Sequence, residues 1–208
     1  MTEPSSLRPH GPGRRSLLRA ALLLAAVTPL AACVAPEDDL AKQAREGNGK
    51  NYISGDSSVQ EYPLDKRGER IELSSTTFDG EKVDTAAWTG RVVVMNFWYA
   101  ACPPCRIEAP DMAALSREFA DNVDFLGVNV RDEKAAAEAF ESTFKIPYPS
   151  IKDNDGEIQL AMTKYVPLQA VPTTLVIDKQ GRVAARILGV AEKPTLKALI
   201  VSRIAEQA

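Results

Sequence analysis

Val92-Val93-Val94-Met95-Asn96-Phe97-Trp98-Tyr99-Ala100-Ala101-Cys102-Pro103-Pro104-Cys105-Arg106-Ile107-Glu108-Ala109-Pro110 is the stretch whose reading decides the fold. Its first seven residues form an apolar run too short for a helix and rich in β-branched and aromatic side chains. Such a run predicts a strand buried on both faces, as in a parallel sheet. A Cys-Pro-Pro-Cys step follows. Beyond it lies a helical segment with Arg106, Glu108 and the apolar positions Ile107, Met112, Leu115 and Phe119. A CxxC where a buried strand hands over to a helix N-terminus implies a redox dithiol. The helix dipole and the free N–H groups of the first turn favour a thiolate there.

Counting ligands weighs the other uses of Cys102 and Cys105. The chain of 208 residues has three cysteines and one histidine. A structural zinc site takes four ligands, and the remaining candidates, Cys33 and His10, fall in a segment read below as targeting. A purely structural disulfide across so short a loop constrains the unfolded chain little. A redox-active pair is therefore the reading carried forward, with no cofactor and no metal.

The length suits one domain with appendages, and no internal repeat stands out. Net charge is −3, and the first 32 residues carry Arg8, Arg14, Arg15 and Arg19 against Glu3, so the rest is more acidic still. A mildly acidic domain without a basic cluster argues against a nucleic-acid partner. Residues 1–32 read as an export signal: basic residues precede the apolar stretch Ala20 to Ala32, too short to span a bilayer comfortably. Leu30-Ala31-Ala32-Cys33 resembles the lipobox of bacterial lipoproteins, in which the cysteine is acylated. Cys33 is thus the expected lipid anchor. Acylation would also remove a stray thiol from the neighbourhood of a dithiol. Arg14-Arg15-Ser16-Leu17-Leu18 resembles a twin-arginine signal, which leaves the export route open. Residues 33–61, polar and rich in Gly and Ser, read as a flexible tether, and 62–208 as the folded domain.

Within the domain, Arg70 to Leu73 alternates and Asp79-Gly80 signals a turn, so a β-hairpin is expected with Val83 on its return. Thr85 to Trp88 reads as a helical turn ended by Gly90. After the CxxC helix, which ends near Ala120, Val123 to Val130 is a second buried strand. Asp132 is placed to cap a helix through Phe144, with Ala136, Ala139 and Phe140 on one face. Ser150 to Lys152 adds a short strand, and a helix runs to about Tyr165. Val171 to Asp178 and Val183 to Leu188 pair around Lys179-Gln180-Gly181. A last helix spans Pro194 to about Glu206. The order predicts an α/β fold, a mixed sheet with helices on both faces.

Trp98 through Pro110, together with Val171-Pro172-Thr173-Thr174-Leu175-Val176-Ile177-Asp178, resembles the thioredoxin-fold TlpA/ResA-like family. The N-terminal hairpin and an inserted β–α unit between the CxxC helix and Pro172 are similar to that family too, over residues 62 to 206. The resemblance implies an extracytoplasmic, membrane-tethered thiol–disulfide oxidoreductase. It also implies a disulfide-bearing protein substrate such as apocytochrome c, a membrane-embedded thiol reductant as electron donor, and a monomer. It implies that Pro172 is cis and faces the dithiol, leaving Val171 free to pair with substrate backbone. For Glu108 it implies a partly buried acid that handles thiol protons, against the plainer reading of a solvated carboxylate favoured by a helix N-terminus.

In this reading Cys102 is the exposed nucleophile and Cys105, one turn into the helix, resolves the mixed disulfide. Pro103 and Pro104 bring no N–H to the turn, which weakens thiolate stabilisation and favours a reductant; Arg106 pulls the other way. Three features depart from the family pattern: Ala101 where an aromatic residue often precedes the first cysteine, a long approach to Pro172 from Tyr165 to Ala170, and Asn96 where thioredoxins proper carry a buried Asp. The competing functions are a disulfide-forming oxidant and a peroxide-reducing relative, for which no Pro-x-x-x-Thr-Cys pattern is found. A copper-delivery module would want a wider Cys spacing and a distal His.

Overall fold

A computed structural model describes residues 58–207. The signal, Cys33 and nearly all of the expected tether lie outside the described residues. Eight strands and four helices follow in order: β1 Val59–Glu61, β2 Ser74–Thr76, β3 Lys82–Asp84, β4 Val92–Trp98, α1 Pro103–Glu118, β5 Val123–Asn129, α2 Lys134–Phe144, β6 Ser150–Lys152, α3 Glu157–Ala161, β7 Thr173–Ile177, β8 Val183–Leu188 and α4 Lys193–Ala205. Two 3-10 turns, Leu64–Lys66 and Thr85–Trp88, complete the described elements.

The sheet runs β1-β8-β7-β4-β5-β6. β4 lies inside it, parallel to β5 and antiparallel to β7, and all seven of its residues are buried. That is the strand the apolar run predicts, and the fold is the expected thioredoxin-like mixed sheet. Alternation along β4 divides the core. Val92 and Val94 meet Met112 and Leu115 of α1 and Leu196, Leu199 and Ile200 of α4. Val93, Met95 and Phe97 face the other way, onto Trp88, Ile158 and Met162. A third cluster at the C-terminal end of β4 gathers Trp98, Cys102, Cys105, Ala109, Ala137 and Phe140. A Cβ on Gly127, opposite Asn96 in the register, would collide with Ser150 Oγ and Trp98 Nε1, so only glycine leaves room there for the Trp98 ring of that cluster.

Several expectations shift. Order begins before Tyr62: Val59–Glu61, placed in the tether by composition, pairs with Ile187 to Ala185 of β8 as an edge strand. The hairpin forms from Ser74–Thr76 rather than Arg70 to Leu73, because Asp79-Gly80 sets the register and pairs Thr76 with Lys82. In α2 the buried residues are Ala137 and Phe140, while Ala136 and Ala139 are exposed. The helix starts one residue later than expected, and its N-cap is Glu133. Asp132 does not cap it; its carboxylate serves the loop before the dithiol instead. In α1 the apolar position Ile107 is 67% exposed.

The C-terminal end is tied back by charge. The Arg67 guanidinium, buried, donates to Asp178 Oδ2 at 2.8 Å and to Glu206 Oε1 at 2.7 Å. Asp178 also accepts from the N–H groups of Gln180 and Arg182 and from Arg182 Nε. Lys179 Nζ donates to the carbonyls of Ile204 and Glu206, satisfying orphan acceptors at the end of α4.

Candidate active site

Cys102 is the N-cap of α1, and its sulfur accepts from the Cys105 N–H at 3.2 Å. The two cysteines are joined as a disulfide. Prolines at the first two helical positions fit there because those N–H groups would have no intrahelical partner. The Val171–Pro172 peptide is cis, as the resemblance implies, and Cys102 Sγ lies 3.9 Å from the Val171 carbonyl oxygen. No partner within the described residues reaches the Val171 N–H. Cys102 was expected to be exposed, but in the disulfide it is 1% exposed. Its sulfur is covered by the helix N-terminus on one side and the Val171 carbonyl on the other.

Glu108 is 2% exposed, which overturns the solvated-carboxylate reading. The reason is periodicity: buried Cys105, Glu108, Ala109, Met112 and Leu115 form one stripe of α1, and Glu108 falls inside it. Oε1 accepts from Asn96 Nδ2 at 2.8 Å, and Oε2 from the Ala191 N–H at 2.7 Å. Asn96 Nδ2 also donates to Thr174 Oγ1 at 3.0 Å, across the β4–β7 register that pairs Asn96 with Thr174. Burial pushes the Glu108 carboxyl up, and these two donors offset it only in part, leaving its pKa at about 7. Glu108 and Cys105 line one small cavity of about 10 Å³, with Asn96, Trp98, Phe140 and Tyr148 around it. That is room for about one water molecule.

The structure thus brings Cys102, Cys105, Glu108 and Pro172 together. It adds residues that sequence reasoning missed. Asp132 Oδ2 accepts from the Ala100 N–H at 2.5 Å and from Asn129 Nδ2 at 2.9 Å, pinning the loop that leads into Cys102. Asn129, buried at the end of an apolar strand, was the available signal. Arg106 lies over the Phe144 ring, 5.1 Å from its centroid, and donates to the Ala100 carbonyl. Arg131 stacks on Tyr99 at 4.0 Å.

Residues 60–200 match the Redoxin family. The chain belongs to that family. Within the Redoxin family it is a ResA-like thiol–disulfide oxidoreductase. Its sequence is 31% identical over 143 residues to the thiol-disulfide oxidoreductase ResA of Bacillus subtilis, covering 68% of this chain and 71% of the relative. It is 32% identical to the thiol:disulfide interchange protein DsbE of Pseudomonas aeruginosa, over 59% of this chain and 65% of that one. Among solved structures, a secreted thiol-disulfide isomerase from Corynebacterium glutamicum superposes with a TM-score of 0.67 at 27% identity, covering 75% of this chain and 98% of the other. No described helix of this Redoxin-family chain is long and apolar enough to cross a membrane.

Proposed function

We propose that this oxidoreductase works outside the cytoplasm, held to the outer face of the cell membrane through lipid on Cys33, and reduces protein disulfides such as the haem-site cysteines of an apocytochrome c. The observation that carries the reductant reading is Glu108, a buried carboxyl with only neutral partners in the same cavity as Cys105. A carboxylate beside the dithiol disfavours a second negative charge, and the Pro-Pro turn withholds two N–H donors. Both weaken the thiolate, and a less stabilised reduced form is the stronger reductant.

In the proposed cycle the Cys102 thiolate attacks one sulfur of the substrate disulfide and expels the other as a thiolate. Pairing of substrate backbone with Val171 holds the mixed disulfide in place. The Cys105 S–H gives its proton to the Glu108 carboxylate, attacks Cys102 Sγ and expels the second substrate thiolate. Two electrons pass to the substrate. Its two thiolates take up two protons, one replacing that lost earlier from Cys102 and one matching that passed from Cys105 to Glu108. The product is the Cys102–Cys105 disulfide, which the thiol reductant in the membrane then reopens.

The test is the reduction potential of the Cys102–Cys105 pair. A value near that of thioredoxin, about −270 mV, is expected; one near the oxidant DsbA, about −120 mV, would replace the reductant reading with a disulfide-forming one. Cys105→Ser should trap the substrate on Cys102, and Cys33→Ala should release the protein from membranes.

A further inference from the structure

Glu108 can take a proton from Cys105 only if it can lose it again, yet its carboxyl is sealed. One oxygen is held by Asn96, the other by the Ala191 N–H, and the side chain is almost wholly shielded from solvent beside a cavity of about 10 Å³. Adjoining that cavity through one shared lining residue is an open groove of about 510 Å³ between the hairpin, the end of α1 and β5, with Arg117, Asp124, Lys82 and Asp84 along it. Among the described residues that line the two spaces, Tyr148 alone is common to both. Its ring lies 5.5 Å from that of Phe125 in a tilted stack, so the phenol is held in place.

We infer that Tyr148 is the proton exit of the active site: its hydroxyl relays the proton that Cys105 gives to Glu108 out to the groove. The inference rests on the proton role of Glu108 given above. Glu108 returns the proton through a water in the cavity to the Tyr148 oxygen, and the phenol releases its own proton to a water in the groove. Glu108 ends as the carboxylate and Tyr148 as the neutral phenol, ready for the next cycle. No electrons move in this step. Burial, and after it the Glu108 and Glu141 carboxylates, hold the Tyr148 hydroxyl above its ordinary range, so it stays an O–H donor at neutral pH. Tyr148 is accordingly a positioning residue for protons and touches neither sulfur in the chemistry proposed.

The experiment compares Tyr148→Phe and Glu108→Gln in single-turnover reduction of a protein disulfide by the pre-reduced full chain, beside iodoacetamide reactivity against pH. Tyr148→Phe keeps the ring and its stack on Phe125. It should slow release of the reduced substrate on the order of tenfold and enlarge the solvent deuterium isotope effect. The thiol pKa values should stay at wild type, whereas Glu108→Gln should move them. Tyr148→Ala, which opens the cavity, should regain rate on addition of imidazole. Wild-type rates in Tyr148→Phe with Glu108→Gln impaired would overturn the relay and leave Glu108 in its role. A thiol pKa displaced as far by Tyr148→Phe as by Glu108→Gln, or no rescue by imidazole, would also overturn it. If Glu108→Gln is silent, the reading beneath it fails and the relay falls with it.

Discussion

Two buried carboxyl groups, Glu108 and Asp178, sit at opposite ends of the sheet and titrate in opposite directions. Each is almost fully excluded from solvent, and burial pushes both upward. At Asp178 the Arg182 N–H and the guanidiniums of Arg67 and Arg182 more than compensate, and the group settles below its ordinary value. At Glu108 the donors are an amide N–H and a carboxamide, both uncharged, and the group rises to about 7. Burial alone thus does not decide whether an acid is structural or reactive. The charge of its partners does: among the described residues, cations meet Asp178 and only uncharged donors meet Glu108.

The largest way to break that contrast is Arg67→Ala. It removes the buried cation that Asp178 and Glu206 share, leaving Arg182 beside the first and Arg203 beside the second, and loss of one partner of a buried pair costs about 3–5 kcal/mol when nothing else compensates. Urea unfolding should show that loss, while the thiol pKa of the folded fraction stays put. Next comes the pH dependence of Glu108. A carboxyl raised from 4.5 to about 7 holds more protons folded than unfolded, so its stabilisation is complete below about pH 4.5 and is lost as pH rises through about 7. The full loss is about 3 kcal/mol. Glu108→Gln should flatten that slope in denaturation curves taken from pH 4 to pH 9. Asp178 acts in the reverse window: its contribution is present above its unfolded pKa of about 3.9 and is lost as pH falls through the lower folded value.

A finer test is Asn96→Asp, which places a second acid 2.8 Å from Glu108. The two then share a proton and titrate as a pair, one step rising further. Stability at pH 8 should fall about 1–3 kcal/mol more than at pH 5. The smallest effect belongs to a pair in open water. Arg91 Nε donates to Asp124 Oδ2 at 2.8 Å, with both side chains well exposed. Asp124→Ala, which removes the pair but keeps the bonds of Arg91 to the Asp121 and Ala120 carbonyls, should cost about 0.2–1 kcal/mol, and salt should erase most of it. A cost as large as that of Arg67→Ala would sink the claim that burial sets the scale.

Where neighbours in sequence determine the outcome, the chain could be read directly. The run from Val92 to Trp98, the CxxC and the final helix lie where periodicity and turn residues put them. Val59–Glu61 is three residues long with a single apolar side chain, and gets its strand geometry from β8, which no local pattern announces. Glu108 was legible in principle, since it shares a stripe with Cys105 and Met112, but its two partners come from β4 and from the loop before α4. Tyr148, between Pro147 and Pro149, has the look of a surface connection. Only the folded chain shows that one side of its ring closes the cavity behind Cys105.

The hairpin of β2 and β3 has a bearing on self-association. β6 ends the sheet, yet Thr77 bridges to Ile151 and the Phe78 N–H donates to the Ser150 carbonyl, so the outermost backbone is already engaged by the chain itself. At the opposite border β1 is only three residues long. A second copy seeking to extend the ladder meets an occupied rim on one side and a stub on the other, and that discourages strand-to-strand growth into aggregates.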